Sequence, residues 1–125
     1  MIPTQTFSPT PTPTTRPTPT PNALSYFEKG LDYYSHGKYQ HATNEFTTAI
    51  WLDADYAPNY GWRGYVYNLL RQYQQAIQDF DKALRLDTGN ATAYAHRGIA
   101  YGRMGLDAKA DADKAMACWL DKQYC

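Results

Sequence analysis

Residues 74–87, "QQAIQDFDKALRLD", read as an amphipathic helix, with apolar positions recurring at helical spacing and polar ones between them. A variant of the same stretch, "QHATNEFTTAIWLD", begins 34 residues earlier, at Gln40. The offset holds along the whole body. Gly30, Gly64 and Gly98 align, as do Tyr26, Tyr60 and Tyr94, and Tyr33, Tyr67 and Tyr101. Ala42, Ala76 and Ala110 align in the second half of each unit, followed by Ala49, Ala83 and Ala117. Each unit closes on Leu-Asp, at Leu52-Asp53, Leu86-Asp87 and Leu120-Asp121. Within each unit two helical patterns are separated by a breaker, "SHGKY" in the first and "RMGLD" in the third. The pattern predicts six helices, near 23–36, 39–53, 57–70, 73–87, 91–104 and 107–121.

Local chemistry sharpens the boundaries. Gly37 and Gly105 are predicted helix C-caps, because the residue after a helix often takes a left-handed backbone. Arg71 stands at that place in the second unit, so its turn is expected to cost slightly more. Asn22 and Asn90 are the expected N-caps of the first and third units. The repeat glycines and alanines are expected to let paired helices approach closely.

A period of 34 with "GLDY", "GYVY" and "GIAY" in the first helices, and "ATNEFTTA" and "AIQDFDKA" in the second, resembles the tetratricopeptide repeat (TPR) family. The resemblance covers about residues 23–121. It implies an all-α solenoid of three helix-turn-helix repeats, at 23–56, 57–90 and 91–124, within a domain spanning 23–125. Two departures stand out. "ADADKAMA" puts Lys114 where the pattern has Phe, and the repeat-ending Pro is replaced by Ala54 and Thr88. Lys114 is expected to make the last helix a polar cap, since a terminal repeat has no outer neighbour. With no separate capping helix in the sequence, that end is expected to be adhesive or frayed.

The resemblance also implies a concave groove lined by the first helix of each repeat. Its positions carry Phe27, Leu31 and Tyr34, then Gly61, Tyr65 and Asn68, then Ala95, Ile99 and Gly102. Trp62 and His96 neighbour them. The family's carboxylate clamp would need Lys, Asn and Arg at places that here hold Phe27, Leu31, Trp62, Thr92 and His96. The expectation is a protein-interaction module taking an apolar peptide or partner surface through large side chains, and not the acidic C-terminal tails of chaperones. The alternatives are a self-associating structural unit, an accessory domain of a longer membrane- or surface-attached protein, a groove whose Phe27 and Leu31 merely cover the first helix pair, or a groove occupied by Ile2 or Phe7 of the chain's own N-terminal segment.

That segment, residues 1–22, alternates Pro with Thr. Pro removes donors and fixes φ, and there is little apolar surface to offset ordering entropy. It is read as a disordered, polyproline-like linker or stalk. No two of its prolines stand three apart, so the PxxP register is absent.

Composition narrows function further. Twelve basic and twelve acidic residues balance to zero net charge, which argues against a nucleic-acid binder. No apolar run suits membrane insertion. The chain as it stands reads as cytoplasmic, or as extracytoplasmic if it belongs to a longer stalked protein. His36, His41 and His96 are scattered and lack metal-ligand spacing, and no nucleophile motif or phosphate loop is present, so neither enzyme nor cofactor is expected. Asn90-Ala91-Thr92 matches a glycosylation sequon, but capping explains Asn90 better. Cys118 and Cys125 are either free thiols or a disulfide. In one continuous helix their Cα atoms would lie about 10.5 Å apart, too far to bond, so pairing requires the helix to end between them.

Overall fold

The computed structural model describes residues 18–125; the Pro/Thr readings for residues 1–17, and Ile2 and Phe7 with them, lie outside that range. Six α-helices run in order: α1 (Pro21–Ser35), α2 (Tyr39–Leu52), α3 (Ala57–Leu69), α4 (Tyr73–Leu86), α5 (Ala91–Arg103) and α6 (Asp107–Leu120). A short 3₁₀ turn, Lys122–Tyr124, follows. Helices pack in sequential antiparallel order, and α3 also touches α5. The odd-numbered helices therefore lie side by side along one face, and the architecture is an all-α solenoid.

The turns follow the local chemistry. Gly37 and Gly105 have φ of +73° and +78°, and Arg71 is held at φ +61°. A side chain in that left-handed region costs roughly 1 kcal/mol, which the second repeat bears and the others avoid. Asn90 caps α5 as expected, its Oδ1 accepting from the Ala93 N–H at 3.0 Å. Asn22 does not cap α1. The helix begins two residues earlier than expected, with Thr20 in extended backbone at the N-cap and Pro21 in the first turn. Proline's preset φ and missing donor suit that position, so Pro21 displaces Asn22 into the helix.

The core is built from small residues around two phenylalanines. Phe46 and Phe80, 0% and 2% exposed, are its largest fully buried side chains. Each lies across a repeat glycine: a Cβ on Gly30 would stand 2.6 Å from the Phe46 ring, and one on Gly64 2.9 Å from the Phe80 ring. Glycine is what lets the first helix of each repeat close onto the aromatic ring of the second.

An arginine ladder adds to this packing. Arg63 donates from Nε and Nη2 to both carboxylate oxygens of Asp79 at 2.7 Å, and from Nη1 to Thr47 at 3.0 Å. Arg97 repeats the arrangement on Asp113, at 2.8 and 2.7 Å, and on Asp81 at 2.9 Å. Each guanidinium thus ties its own repeat to the one before it.

The third repeat ends differently from expectation. Lys114 is exposed, as a cap would have it. The outer face of α6 is nevertheless apolar, with Ala112, Ala115, Met116 and Trp119 side by side and Trp119 80% exposed. Nor does the end fray. α6 stops at Leu120, the chain folds back, and Cys118 bonds Cys125 with their Cα atoms 4.6 Å apart. The Tyr124 hydroxyl then meets Thr92 Oγ1 at 2.7 Å, returning the C-terminal residues to the start of α5.

Candidate functional site

The side-by-side odd helices carry a run of rings across their shared face. Tyr34 of α1 meets Trp62 and Tyr65 of α3 edge-on, with centroids 5.4 and 5.6 Å apart. Trp62 and Tyr65 are perpendicular at 6.0 Å, and Tyr65 stands edge-on to His96 of α5 at 4.9 Å. Edge-to-face geometry places the positive edge of one ring on the negative face of the next, so the array is self-stabilising. Each ring is only half-buried.

Beside this array, between α3 and α5, opens a cavity of about 470 Å³. Tyr34, Trp62, Tyr65 and His96 line it together with Phe80, and Gly61 and Pro58 contribute from the first turns of α3. Asn90, Thr92 and Ala93 close it at the start of α5. A Cβ on Gly61 would meet no atom within 4 Å, so the missing side chain there leaves open space. The lining holds no Lys, Arg, Asp or Glu. The Tyr34–Tyr65 hydroxyl bond of 3.4 Å, with burial, pushes the Tyr34 phenol up to about 12. Burial also lowers the His96 pKa, and its Nδ1 is held 3.0 Å from the Thr92 carbonyl.

The residues expected in the groove divide into three groups. Tyr34, Trp62, Tyr65 and His96 converge on the cavity. Phe27 and Leu31 are turned onto the cluster of Ala42, Phe46 and Val66, Phe27 lying 5.8 Å from the Phe46 ring. Asn68 stands behind the array, donating from Nδ2 to the His96 carbonyl at 3.0 Å, while Ile99 is 48% exposed outside the cavity lining. Asn90, Pro58 and Phe80 were not among the expected groove residues. Phe80 had a signal in the sequence: it is the repeat Phe, and it packs against Gly64.

A family model described as a TPR repeat matches residues 64–105. No curated protein matches the chain. Among solved structures, the Arabidopsis OM64 TPR domain is 33% identical, with 82% of this chain and 84% of that one aligned and a TM-score of 0.80. The second TPR of Spaghetti (RPAP3), bound to the HSP90 peptide SRMEEVD, is 28% identical over 79% of this chain and 92% of that one, TM-score 0.78. MamA is 25% identical over 81% of this chain and 59% of its own, TM-score 0.79. The six-helix solenoid, the glycine–phenylalanine contact repeated at 34-residue spacing and the likeness to the Arabidopsis domain agree, and the chain belongs to the tetratricopeptide repeat family.

Proposed function

We propose that this protein is a non-catalytic interaction module that holds an extended or helical peptide on its concave face, anchored by one or two large apolar side chains in the cavity between α3 and α5. The observation that carries the reading is the cavity itself: about 470 Å³, walled by Tyr34, Trp62, Tyr65 and Phe80, and free of charged lining. Tyr and Trp beside an apolar hollow supply most of the binding energy in many interfaces. The RPAP3 domain takes an acidic peptide ending in Asp. Here the places of a carboxylate clamp hold Phe27, Leu31, Trp62, Thr92 and His96, none of them a fixed cation. The absence of cations supports a ligand chosen by apolar anchors and not by its terminal carboxylate.

The test is selection of a displayed peptide library on the full chain. Selected peptides are expected to share an aromatic or aliphatic anchor. They should lose about 30-fold in affinity to Trp62→Ala or Tyr65→Ala, as hot-spot truncations of about 2 kcal/mol do. Both variants should keep the helical circular dichroism. Undiminished binding by both, or selection dominated by acidic C-termini that need a free carboxylate, would refute the reading.

A second reading, self-association, has its own observation in the exposed stripe of Ala112, Ala115, Met116 and Trp119 on α6. Apolar faces of that kind mark contact sites. Light scattering checks it: a concentration-dependent mass that Trp119→Asp abolishes would place self-association ahead of peptide binding.

A further inference from the structure

We propose that the exposed stripe on α6 pairs with the same stripe of a second copy of this chain, the two helices antiparallel about a two-fold axis. Trp119 of each copy then enters the hollow over Ala112 and Ala115 of the other. The proposal rests on the self-association reading above and names its contact.

Shape is the first argument. Ala112, Ala115, Met116 and Trp119 share one face of α6 and border a hollow of about 340 Å³. Ala108, also exposed, continues the stripe by a turn toward the start of the helix. The large ring stands at one end and the small residues at the other, with Trp119 about 10.5 Å along the axis from Ala112. A two-fold axis beside Ala115 and Met116 exchanges those ends. Trp119 then meets Ala112 of the second copy, and Ala112 meets its Trp119, the reciprocity that a two-fold contact requires. One stripe carries both the knob and the hole.

The repeat register supplies the second, because it shows what a stacked repeat covers. Trp51 holds the place of Trp119 in the first repeat and is 85% exposed, although α3 packs beyond α2. A helix stacked on α6 in the same way would leave Trp119 in water. The arginine ladder stops there as well. Thr47 and Asp81 accept from Arg63 and Arg97 of the helix that follows, and their counterpart is Ala115. Ala115 offers no acceptor. The Arg place of α1 holds Lys29, whose ammonium lies over its own Tyr26 ring at 5.0 Å. Head-to-tail stacking of copies therefore lacks the bond that ties the internal repeats together. Two-fold pairing needs no such bond, and the stripe brings no charge to be desolvated.

Size is the third. α6 has 14 residues, so it is about 21 Å long and about 10 Å across. Two such faces bury less than the roughly 1,200 Å² of a standard interface, although each Trp119 supplies about 150–250 Å². That is the area of a transient dimer, with a Kd on the order of 10 μM. No α6 residue lines the aromatic cavity, so the pairing leaves both cavities open. The resulting particle is bivalent, and two linked grooves hold a two-site partner more tightly than either alone.

The experiment is light scattering of the full, disulfide-bonded chain from about 1 μM to about 1 mM, a range that brackets the expected Kd. Beside it run Trp119→Ala, Ala112→Trp and the double variant carrying both changes. The native mass is expected to rise to that of a dimer and no further. Each single change should weaken association about 30-fold, one by removing the knob and the other by filling the hole. The double variant moves the knob to 112 and the hole to 119, so association should return to within about threefold of native. Both positions are exposed, and helical circular dichroism checks that every variant is folded. Two weakened single variants whose combination stays monomeric would overturn the two-fold pairing and leave self-association through α6 standing. Native masses beyond a dimer would show stacking in place of pairing, and undiminished association of Trp119→Ala would put the contact elsewhere; either result overturns the proposal. A native chain that is monomeric throughout removes it together with the self-association reading.

Discussion

Two glycines three residues apart on α3 should respond in opposite ways to one methyl group. Gly61 and Gly64 both lie within the helix Ala57–Leu69, where alanine is favoured over glycine by about 1 kcal/mol per residue. At Gly61 the added Cβ meets nothing within 4 Å, so Gly61→Ala is expected to stabilise the protein by close to that full amount. At Gly64 the Cβ would lie 2.9 and 3.0 Å from Phe80 ring atoms and 3.2 Å from the Asp79 Cβ. Phe80 is 2% exposed, and Asp79 is held by two bonds from Arg63, so neither neighbour has free room to retreat. Overpacking of that kind costs about 1–3 kcal/mol, which cancels or exceeds the helical gain. The two variants should therefore differ by about 2 kcal/mol, with Gly64→Ala the less stable. For a domain of this size that is about 10 °C in Tm. Urea unfolding followed at 222 nm, with equal m-values checked, measures the difference. If Gly64→Ala proves as stable as Gly61→Ala, the close approach of α3 to Phe80 is not what requires the glycine, and the packing account of the repeat fails.

Three other outcomes follow from the same coordinates. Arg63→Met strands the Asp79 carboxylate, whose side chain is 7% exposed, and should cost about 3 kcal/mol in urea unfolding; adding Asp79→Leu should restore most of it, and a double variant as unstable as the single would refute the pairing argument. Asn59 is fully buried with neither amide atom bonded among the described residues, while the equivalent residue of the next repeat is Ala93, so Asn59→Ala should raise stability by about 1 kcal/mol in the same assay; destabilisation would mean the amide has a partner. Burial lowers the His96 pKa, so the unfolded chain takes up this proton at a higher pH than the folded one; the stability tied to neutral His96 is then intact above about pH 6.5 and lost as pH falls below it. His96→Phe should flatten the fall in stability below about pH 6.5, and an unchanged slope would assign that fall to other groups.

The 34-residue register determined the fold by itself. Helix and turn chemistry is local, so Gly37, Gly105 and Asn90 could be placed from their neighbours in the chain alone. A strict period also makes the contacts of one unit recur in the next, as Gly30 on Phe46 does in Gly64 on Phe80. Where local signals competed the sequence was ambiguous: at the start of α1, Pro21 in the first turn outweighed the capping chemistry of Asn22.

The site was legible only in part. The resemblance to the repeat family implies which helix face lines the groove, and Tyr34, Trp62, Tyr65 and His96 of that face do share one surface. It does not tell how far a side chain sinks or what it meets from another helix. Phe27 and Leu31 share the same register, yet they turn onto the cluster of Ala42, Phe46 and Val66. Phe80 reaches the cavity from the opposite helix, and Arg63 finds Asp79 and Thr47 across two repeats. The choice between free thiols and a disulfide likewise waited on where α6 ended, since only a chain that turns back after Leu120 brings Cys125 to Cys118. Helices and their order are set by short-range patterns; cavities, buried ion pairs and cross-links depend on distances between segments far apart in the chain, and only the packed structure decides those.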